Sequence, residues 1–360
     1  MKRLNQLRKR VREIDRAIIS LIGRRIEIAK KIGNEKSKRG IPLRNWEVEK
    51  AVLENATAAA RELGLSSGLV KSIMQQLVIE SRTQQELVHY SCYAGDKEDI
   101  LIIGGLGEMG KWFSHFFANQ GHNVSVYDIK GKSETFKLYK SLNQGIREAS
   151  CVVISTPLKI VPRIIERVTE LNFSGVVFDI ASLKGYLTHS IAKAIEAGIS
   201  ITSIHAMFGP VTRTLSDKII CICDCGCKKA NQKVEAFFRD TAVSKVRLSL
   251  EEHDRLISYV LGLSHIINIV FMNVLISSNY KYSELKKVAS TTFFSQMKTT
   301  SSVIEENPYL YYEIQMFNPF KKNLYKRLKK AIRSTTDIVL SGNKRRFVEV
   351  MKEGRRWLTE

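Results

Sequence analysis

Leu4, Leu7, Val11, Ile14, Ile18 and Leu21 recur at alternating steps of three and four, with charged side chains between them. That spacing lays one apolar stripe along a helix packed against other helices. It predicts a single long helix from about Leu4 to Lys38, stopped by Gly40 and Pro42. A second helical stretch runs from about Trp46 to Leu63 and a third from about Gly68 to His89, with Gly64 and Ser66 between them. The segment Ser91 to Asp99 breaks the pattern and reads as a linker. Beyond it the apolar runs ILII, VSVYD, CVVIST, GVVFDIAS, ITSIHAMF and IICICD are separated by helical stretches such as Lys159 to Leu171. Strand and helix in alternation predict a parallel, doubly wound sheet. From about Leu250 the chain turns helical again.

Charge changes this picture little. The 360 residues carry a formal charge of +21, and the first ninety hold 19 Lys/Arg against 10 Asp/Glu, so the excess is spread and not one terminal tail. With no lysine-arginine block and no zinc-finger spacing, small anionic substrates fit better than nucleic acid. The start MKRLNQLRKR lacks an apolar core, so no secretory signal is expected. Leu256 to Ile276 is apolar enough to resemble a membrane span, but His265, Asn268 and Asn273 interrupt it. A buried helix in a cytoplasmic dimer is the expectation. Cys221, Cys223, Cys225 and Cys227 alternate, which reads as a strand running into a turn and not as zinc-ligand spacing. No metal is expected, and Cys92 and Cys151 stand apart.

The first helix holds a sharper clue. Its apolar seam continues through Arg25, then Ile28 and Ile32, and Lys36 lies about three turns beyond Arg25 on nearly the same side. A cation sunk in a helical seam costs free energy unless it meets an anion. One reading is a dicarboxylate pocket; the other is that Arg25 pairs with a buried glutamate or reaches out to solvent. Arg8 flanks the same seam about 25 Å from Arg25 at 1.5 Å per residue. One small ligand held by both needs Arg8 from a second chain, and the uncovered length of the seam also asks for a partner.

With LRKRVREID, RRIEIAKKIGNEK, GIPL and VIESRTQQ in this order, residues 4–86 resemble the all-helical chorismate mutase family. The resemblance implies an intertwined dimer that rearranges chorismate to prephenate by a pericyclic shift, holding a compact conformer and stabilising charge on the breaking ether oxygen. It implies carboxylate binding by Arg25 and the second chain's Arg8. Lys36 and Gln85 would face the ether oxygen, Glu49 the substrate hydroxyl and Ser81 the ring carboxylate. Two positions depart from the family: Val48 stands where an arginine is usual and Asn45 where an acid is common, with Arg44 a possible substitute.

The run GGLGEMG supplies Gly105, Gly107 and Gly110 between an apolar strand and a helix, and Asp128 ends the next strand 23 residues after Gly105. In that context the pattern is a dinucleotide fingerprint. Its glycines allow the tight turn, backbone approach to a pyrophosphate and close helix packing, and helix-start amides face the phosphates. An acid at Asp128 accepts from the ribose hydroxyls and repels a 2′-phosphate, so NAD is favoured over NADP, which Lys130 and Lys132 keep as the alternative. Ser182 in FDIASLK and His205 in HAMFGP each follow a strand end, where ligands gather in such sheets. Oxidation of an alcohol needs a base for the hydroxyl proton, and a histidine suits that task.

These motifs, with VVISTP and EEHDRLISYVLGLSH, resemble the prephenate dehydrogenase family over residues 99–350. The resemblance implies that His205 takes the ring-hydroxyl proton as hydride passes to NAD+, that Ser182 orients it, and that loss of carbon dioxide gives 4-hydroxyphenylpyruvate. It implies that His265 contacts substrate, while His253 makes a local contact with Asp254. HAMFGP replaces the usual HPMFGP, and Ser302 falls where the family keeps a carboxylate-binding arginine, leaving Lys298 or Arg213 as alternatives. No regulatory domain is expected after the basic helix near Trp357.

The expected architecture is multidomain. An all-α, three-helix mutase-like domain spans residues 1–90 and a linker 91–98. An α/β Rossmann NAD-binding domain spans 99–248, and an all-α substrate and dimerisation domain 249–360. The expected function is a bifunctional enzyme of tyrosine biosynthesis. Val48 and Ser302 leave an alternative, an arogenate or cyclohexadienyl dehydrogenase whose helical head is a weak mutase or only dimerises.

Overall fold

In a computed structural model, which describes residues 1–39, 45–89, 93 and 95–359, the apolar stripe of the N-terminal segment forms α1 (Lys2–Lys38). Two shorter helices, α2 (Trp46–Glu62) and α3 (Ser67–His89), follow it. Asn45 starts α2 as an N-cap, its side chain accepting from the Glu47 and Val48 amides. Gly40, Pro42 and Arg44, and Ser91, Cys92 and Ala94 of the anticipated linker, lie outside the described residues.

The alternating segment follows as β1 (Asp99–Ile103), α4 (Glu108–Asn119), β2 (Asn123–Tyr127), β3 (Lys137–Tyr139), α5 (Leu142–Glu148), β4 (Cys151–Ile154), α6 (Val161–Glu170) and β5 (Val176–Asp179). It continues through α7 (Thr188–Glu196), β6 (Ser200–Ala206), β7 (Ile219–Asp224), α8 (Lys228–Phe237) and β8 (Ser244–Ser249). The eight strands take the order β3-β2-β1-β4-β5-β6-β7-β8. From β3 through β6 all pairs are parallel. Strands β4 and β5 are buried throughout, which is why they read as unbroken apolar runs. Phe113, Phe117, Phe178 and Phe237 pack into their core.

The sheet departs from the sequence reading in two ways. β7 runs antiparallel to β6, so the sheet is mixed and not purely parallel. β3 and β8 were not anticipated: one has three residues, and the other, SKVRLS, is largely exposed and polar. The alternating cysteines behave as expected. Cys221 and Cys223 are buried on β7, and the chain turns at Gly226, whose φ is +89°.

The C-terminal segment forms α9 (Leu250–Ile257), a π-helical turn (Ser258–Leu263), α10 (Ser264–Ser277), α11 (Tyr282–Lys287), α12 (Thr291–Ile304), α13 (Pro308–Phe317), α14 (Lys321–Leu340) and α15 (Lys344–Trp357). The chain divides into two compact units: Met1–Ala181 with Ser190–Leu248, and Ser182–His189 with Ser249–Glu360. The helical head and the sheet thus share one unit. Residues 182–189, read from sequence as part of the nucleotide-binding domain, go with the C-terminal helices. They are held there by Asp254, whose carboxylate accepts from the Lys184 amide at 2.8 Å and the Gly185 amide at 2.7 Å. The stretch Leu250–Ser277 is long and apolar enough to cross a membrane by length and composition, yet only 17% of its most apolar window is buried within one chain. His265 and Asn268 are the buried residues of α10. The expected covering of this helix is therefore not supplied by a single chain.

Candidate functional site

The three helices of the head enclose a cavity of about 410 Å³. Helix α1 contributes Arg25 and Lys36, α2 contributes Glu49, and α3 contributes Ser81 and Gln85. These five were singled out from sequence, and the structure brings them together. Ser81 and Gln85 are one turn apart on α3 and both buried. The Arg25 guanidinium donates to the Leu77 carbonyl at 2.9 Å and to the Ser81 hydroxyl at 2.5 Å. Burial holds the pKa of Arg25 below its usual value; burial also lowers that of Lys36, against the opposing pull of the Glu49 carboxylate. Much of the rest of the wall is apolar, with Ile28, Ile32, Val52 and Val78. Arg25 and Lys36 in a largely apolar cleft make a receptor for a small anion.

Both departing positions, Asn45 and Val48, are on the same wall. Arg8 is exposed and does not line the cavity of its own chain. The sequence reading missed Arg82, which also lines the cavity at 3.5 Å from Glu49. Its Nε is buried with no hydrogen-bond partner among the described residues. It stands in the quoted run VIESRTQQ, but nothing in its spacing marks it.

On the sheet, Gly105, Gly107 and Gly110 form the turn from β1 into α4, with Gly107 as the cap residue. Gly104, not singled out from sequence, adopts a left-handed φ of +83° that disfavours side chains. A Cβ on Gly110 would collide with the Gly104 carbonyl, so helix and turn close on each other only through glycine. The turn lies where β1 parts toward β2 on one side and β4 on the other, the crevice at which such sheets bind nucleotides. At the end of β2, Asp128 accepts from the Leu106 amide and from the Lys130 amide, both at 3.0 Å. A tight glycine turn, open helix-start amides and a carboxylate fixed beside them fit a dinucleotide.

His205 is buried on β6, paired in register with Cys221. Ser182 and His265 belong to the second unit. His265 is buried, its ring stacked on Tyr311 at 4.1 Å, and desolvation pushes its pKa down to about 4. Its Nδ1 has no hydrogen-bond partner among the described residues. The anticipated His253–Asp254 contact is present, at 2.8 Å between two fully buried side chains. Of the positions considered for the carboxylate-binding cation, Ser302 is exposed and donates to the Thr299 carbonyl, and Lys298 is exposed on α12. Arg213 lines a groove with Lys111 and His115 beside α4.

Fold and site together define a two-headed protein, a helical anion-binding head joined to a dinucleotide-binding oxidoreductase. Comparison with known proteins divides the chain in the same way. Residues 7–86 match the family described as chorismate mutase type II. Residues 119–244 match the nucleotide-binding domain of prephenate dehydrogenase, and residues 249–353 its dimerization domain. A T-protein of Enterobacter agglomerans is 23% identical over 354 residues, covering 98% of this chain and 92% of that protein. A probable arogenate/prephenate dehydrogenase of Methanocaldococcus jannaschii is 30% identical over 265 residues, 71% of this chain and 59% of that one. Among solved structures, prephenate dehydrogenase from A. aeolicus in complex with hydroxyphenyl propionate and NAD+ superposes with a TM-score of 0.62 at 18% identity. That match covers 74% of this chain and 99% of the other. The chain belongs to the bifunctional chorismate mutase/prephenate dehydrogenase family.

Proposed function

We propose that this chain converts chorismate to prephenate in its helical head and prephenate to 4-hydroxyphenylpyruvate with NAD in its second part. The observation that carries the reading is the convergence of Arg25, Lys36, Glu49, Ser81 and Gln85 on one cavity, in a chain that also holds the Gly105–Gly110 turn beside Asp128. In the first reaction Arg25 and Arg8 of a second copy hold the carboxylates. Lys36 and Gln85 donate to the ether oxygen as its bond to carbon breaks, Glu49 accepts from the ring hydroxyl, and Ser81 meets the ring carboxylate. No proton transfer is required; the head works by holding a compact conformer and stabilising developing negative charge.

In the second reaction the Gly105–Gly110 turn and Asp128 would hold NAD+, which would supply the hydride acceptor. His205 accepts the ring-hydroxyl proton as the carbinol carbon becomes a carbonyl. Loss of the ring carboxylate as carbon dioxide then gives the phenol, whose oxygen recovers a proton. Ser182 orients His205 and the hydroxyl, and His265, held neutral by burial, contacts substrate.

Two uncovered surfaces support a homodimer: the α1 seam, where Leu7, Val11, Ile14 and Ile18 are all at least half exposed, and the little-buried stretch Leu250–Ser277. The domain bounds that go with this reading are 1–90, 99–248 without residues 182–189, and 249–360 with them, the first two joined at 91–98, in a cytoplasmic enzyme. Chorismate and NAD+ supplied to the purified protein test it: chorismate is lost first and NADH follows. NADH formation from arogenate faster than from prephenate favours the alternative, an arogenate dehydrogenase with a weak or purely dimerising head, which Ser302 and Val48 keep in view.

A further inference from the structure

Helix α3 turns one edge to the head's cavity and the next to the segment that leads into β7. Ser81 and Gln85 line the cavity, while Arg82 and Glu86, each the following residue, reach the sheet's side. The Arg82 Nη1 donates to Asp217 Oδ1 at 2.9 Å and its Nη2 donates to Oδ2 of the same carboxylate. Nη1 is also 3.5 Å from Glu49 Oε2. One turn on, Glu86 is almost wholly buried and accepts from the Leu215 amide at 2.8 Å and the Ser216 amide at 3.0 Å. Asp217 itself holds a φ of +59°, in the left-handed region that asparagine and aspartate tolerate best.

We propose that Asp217, a residue of the nucleotide-binding domain, is a positioning residue for the mutase reaction, setting Glu49 through Arg82. The inference rests on the mutase reading given above. A buried guanidinium is costly without a counter-charge and closes a two-pronged pair with whichever carboxylate it can reach. Arg82 is 8% exposed and has two carboxylates in reach, Asp217 and Glu49. Asp217 takes the fork. Glu49 is left a lateral contact at 3.5 Å, close enough for attraction but beyond the usual 2.7–3.2 Å of an N–H···O bond. Its carboxylate therefore stays at the cavity wall, where it faces Lys36 electrostatically and can accept from a substrate hydroxyl. Without the charge at Asp217 the fork closes on Glu49 and draws that carboxylate off the substrate. The head's chemistry is thus completed by a side chain from the domain that performs the other reaction.

The test is steady-state kinetics on the full chain with Asp217→Asn, which keeps a residue suited to the left-handed backbone. A Glu49–hydroxyl bond made in ground and transition states alike is uniform binding, so KM for chorismate rises about ten-fold while kcat stays within about two-fold. NADH formation from supplied prephenate is unchanged. A role confined to docking the head lowers kcat at unchanged KM, and that result overturns the proposal. In a Glu49→Gln background Asp217→Asn adds nothing further; an undiminished additional ten-fold rise also overturns it. Arg82→Lys, which keeps the charge and loses the fork, is the second variant, and it too raises KM for chorismate; an unchanged KM there counts against the proposal. Wild-type protein that fails to consume chorismate sinks the mutase reading itself. Wild-type turnover matched by Asp217→Asn sinks only this inference.

Discussion

Arg25 and Ser81 are joined by a 2.5 Å hydrogen bond that ties α1 to α3 across the wall of the head's cavity. The same guanidinium holds the Leu77 carbonyl, so its direction is set before any ligand arrives. Preorganised charge of this kind is worth most in an apolar, partly dry site, which Ile28, Ile32, Val52 and Val78 provide. Arg25→Ala is expected to lower kcat/KM for chorismate by about 100-fold or more, on the scale of one lost preorganised donor. Oxidation of supplied prephenate is expected to continue at the wild-type rate. A loss below ten-fold places the carboxylate elsewhere.

The two chemistries use different side chains, so single substitutions separate them. His205→Asn removes the base on β6 and is expected to abolish NADH formation while chorismate still disappears. Lys36→Ala removes the half-buried ammonium from the cavity and reverses the pattern: chorismate persists, and added prephenate is still oxidised. Parallel assays of chorismate loss and NADH gain decide this. A variant that remains folded and loses both reactions refutes the separation.

Asp128 is pinned by two amides, those of Leu106 and Lys130, at the end of β2. A carboxylate fixed there accepts from ribose hydroxyls and repels a 2′-phosphate, whereas Lys130 and Lys132 nearby attract one. Asp128→Asn is expected to raise the ratio of kcat/KM for NADP+ over NAD+ by about ten-fold or more, roughly 1.4 kcal/mol of altered discrimination. Initial rates with each cofactor at saturating prephenate measure the ratio. An unchanged ratio means that Asp128 only braces the glycine turn.

How much of this was readable in the chain depends on range. Arg25 and Lys36 were found because their eleven-residue spacing follows from helix geometry alone, and Gly105, Gly107, Gly110 and Asp128 because a turn and its next strand lie within 23 residues. Arg82 was missed because its partner, Asp217, is 135 residues away and nothing local signals the pair. The antiparallel pairing of β7 was missed for a related reason: a buried apolar run has no direction written in it. Residues 182–189 join the C-terminal helices through amides of Lys184 and Gly185 bonded to Asp254, about seventy positions on. Backbone donors look alike in any sequence.

The α1 seam offers a direct test of assembly. Ile14 is 59% exposed and Ile18 50% exposed in one chain, although both stand on the apolar stripe. Each is already about half buried, so covering the rest against a second copy contributes about 0.8–1.8 kcal/mol. Ile14→Asp with Ile18→Asp is expected to abolish chorismate turnover, because the second copy's Arg8 goes with the lost contact. Light scattering and mutase assays on the same sample check both halves. A variant with unchanged mass and full turnover shows that the seam is covered by something else.

Two buried histidines give stability a defined pH dependence. His122 accepts a hydrogen bond at Nδ1 from the Glu98 amide at 3.1 Å, and desolvation, against the raising pull of Glu98, brings its pKa to about 4. His265, stacked on Tyr311, is brought to about 4 by desolvation alone. Both start from 6.5 when unfolded. Between 6.5 and 4 the unfolded chain therefore binds more protons than the folded one, and stability falls as pH falls through that window. Each histidine contributes up to about 1.4 kcal/mol per pH unit there, and nothing above it. The melting temperature is expected to be level from pH 8 to 7 and to drop steadily below 6.5. His265→Phe keeps a ring against Tyr311 and removes the titration, so its decline between pH 6.5 and 4.5 should be shallower than that of the wild type by about one proton's worth. Equal slopes for the two proteins in that window would show that the His265 ring is already protonated where it is buried.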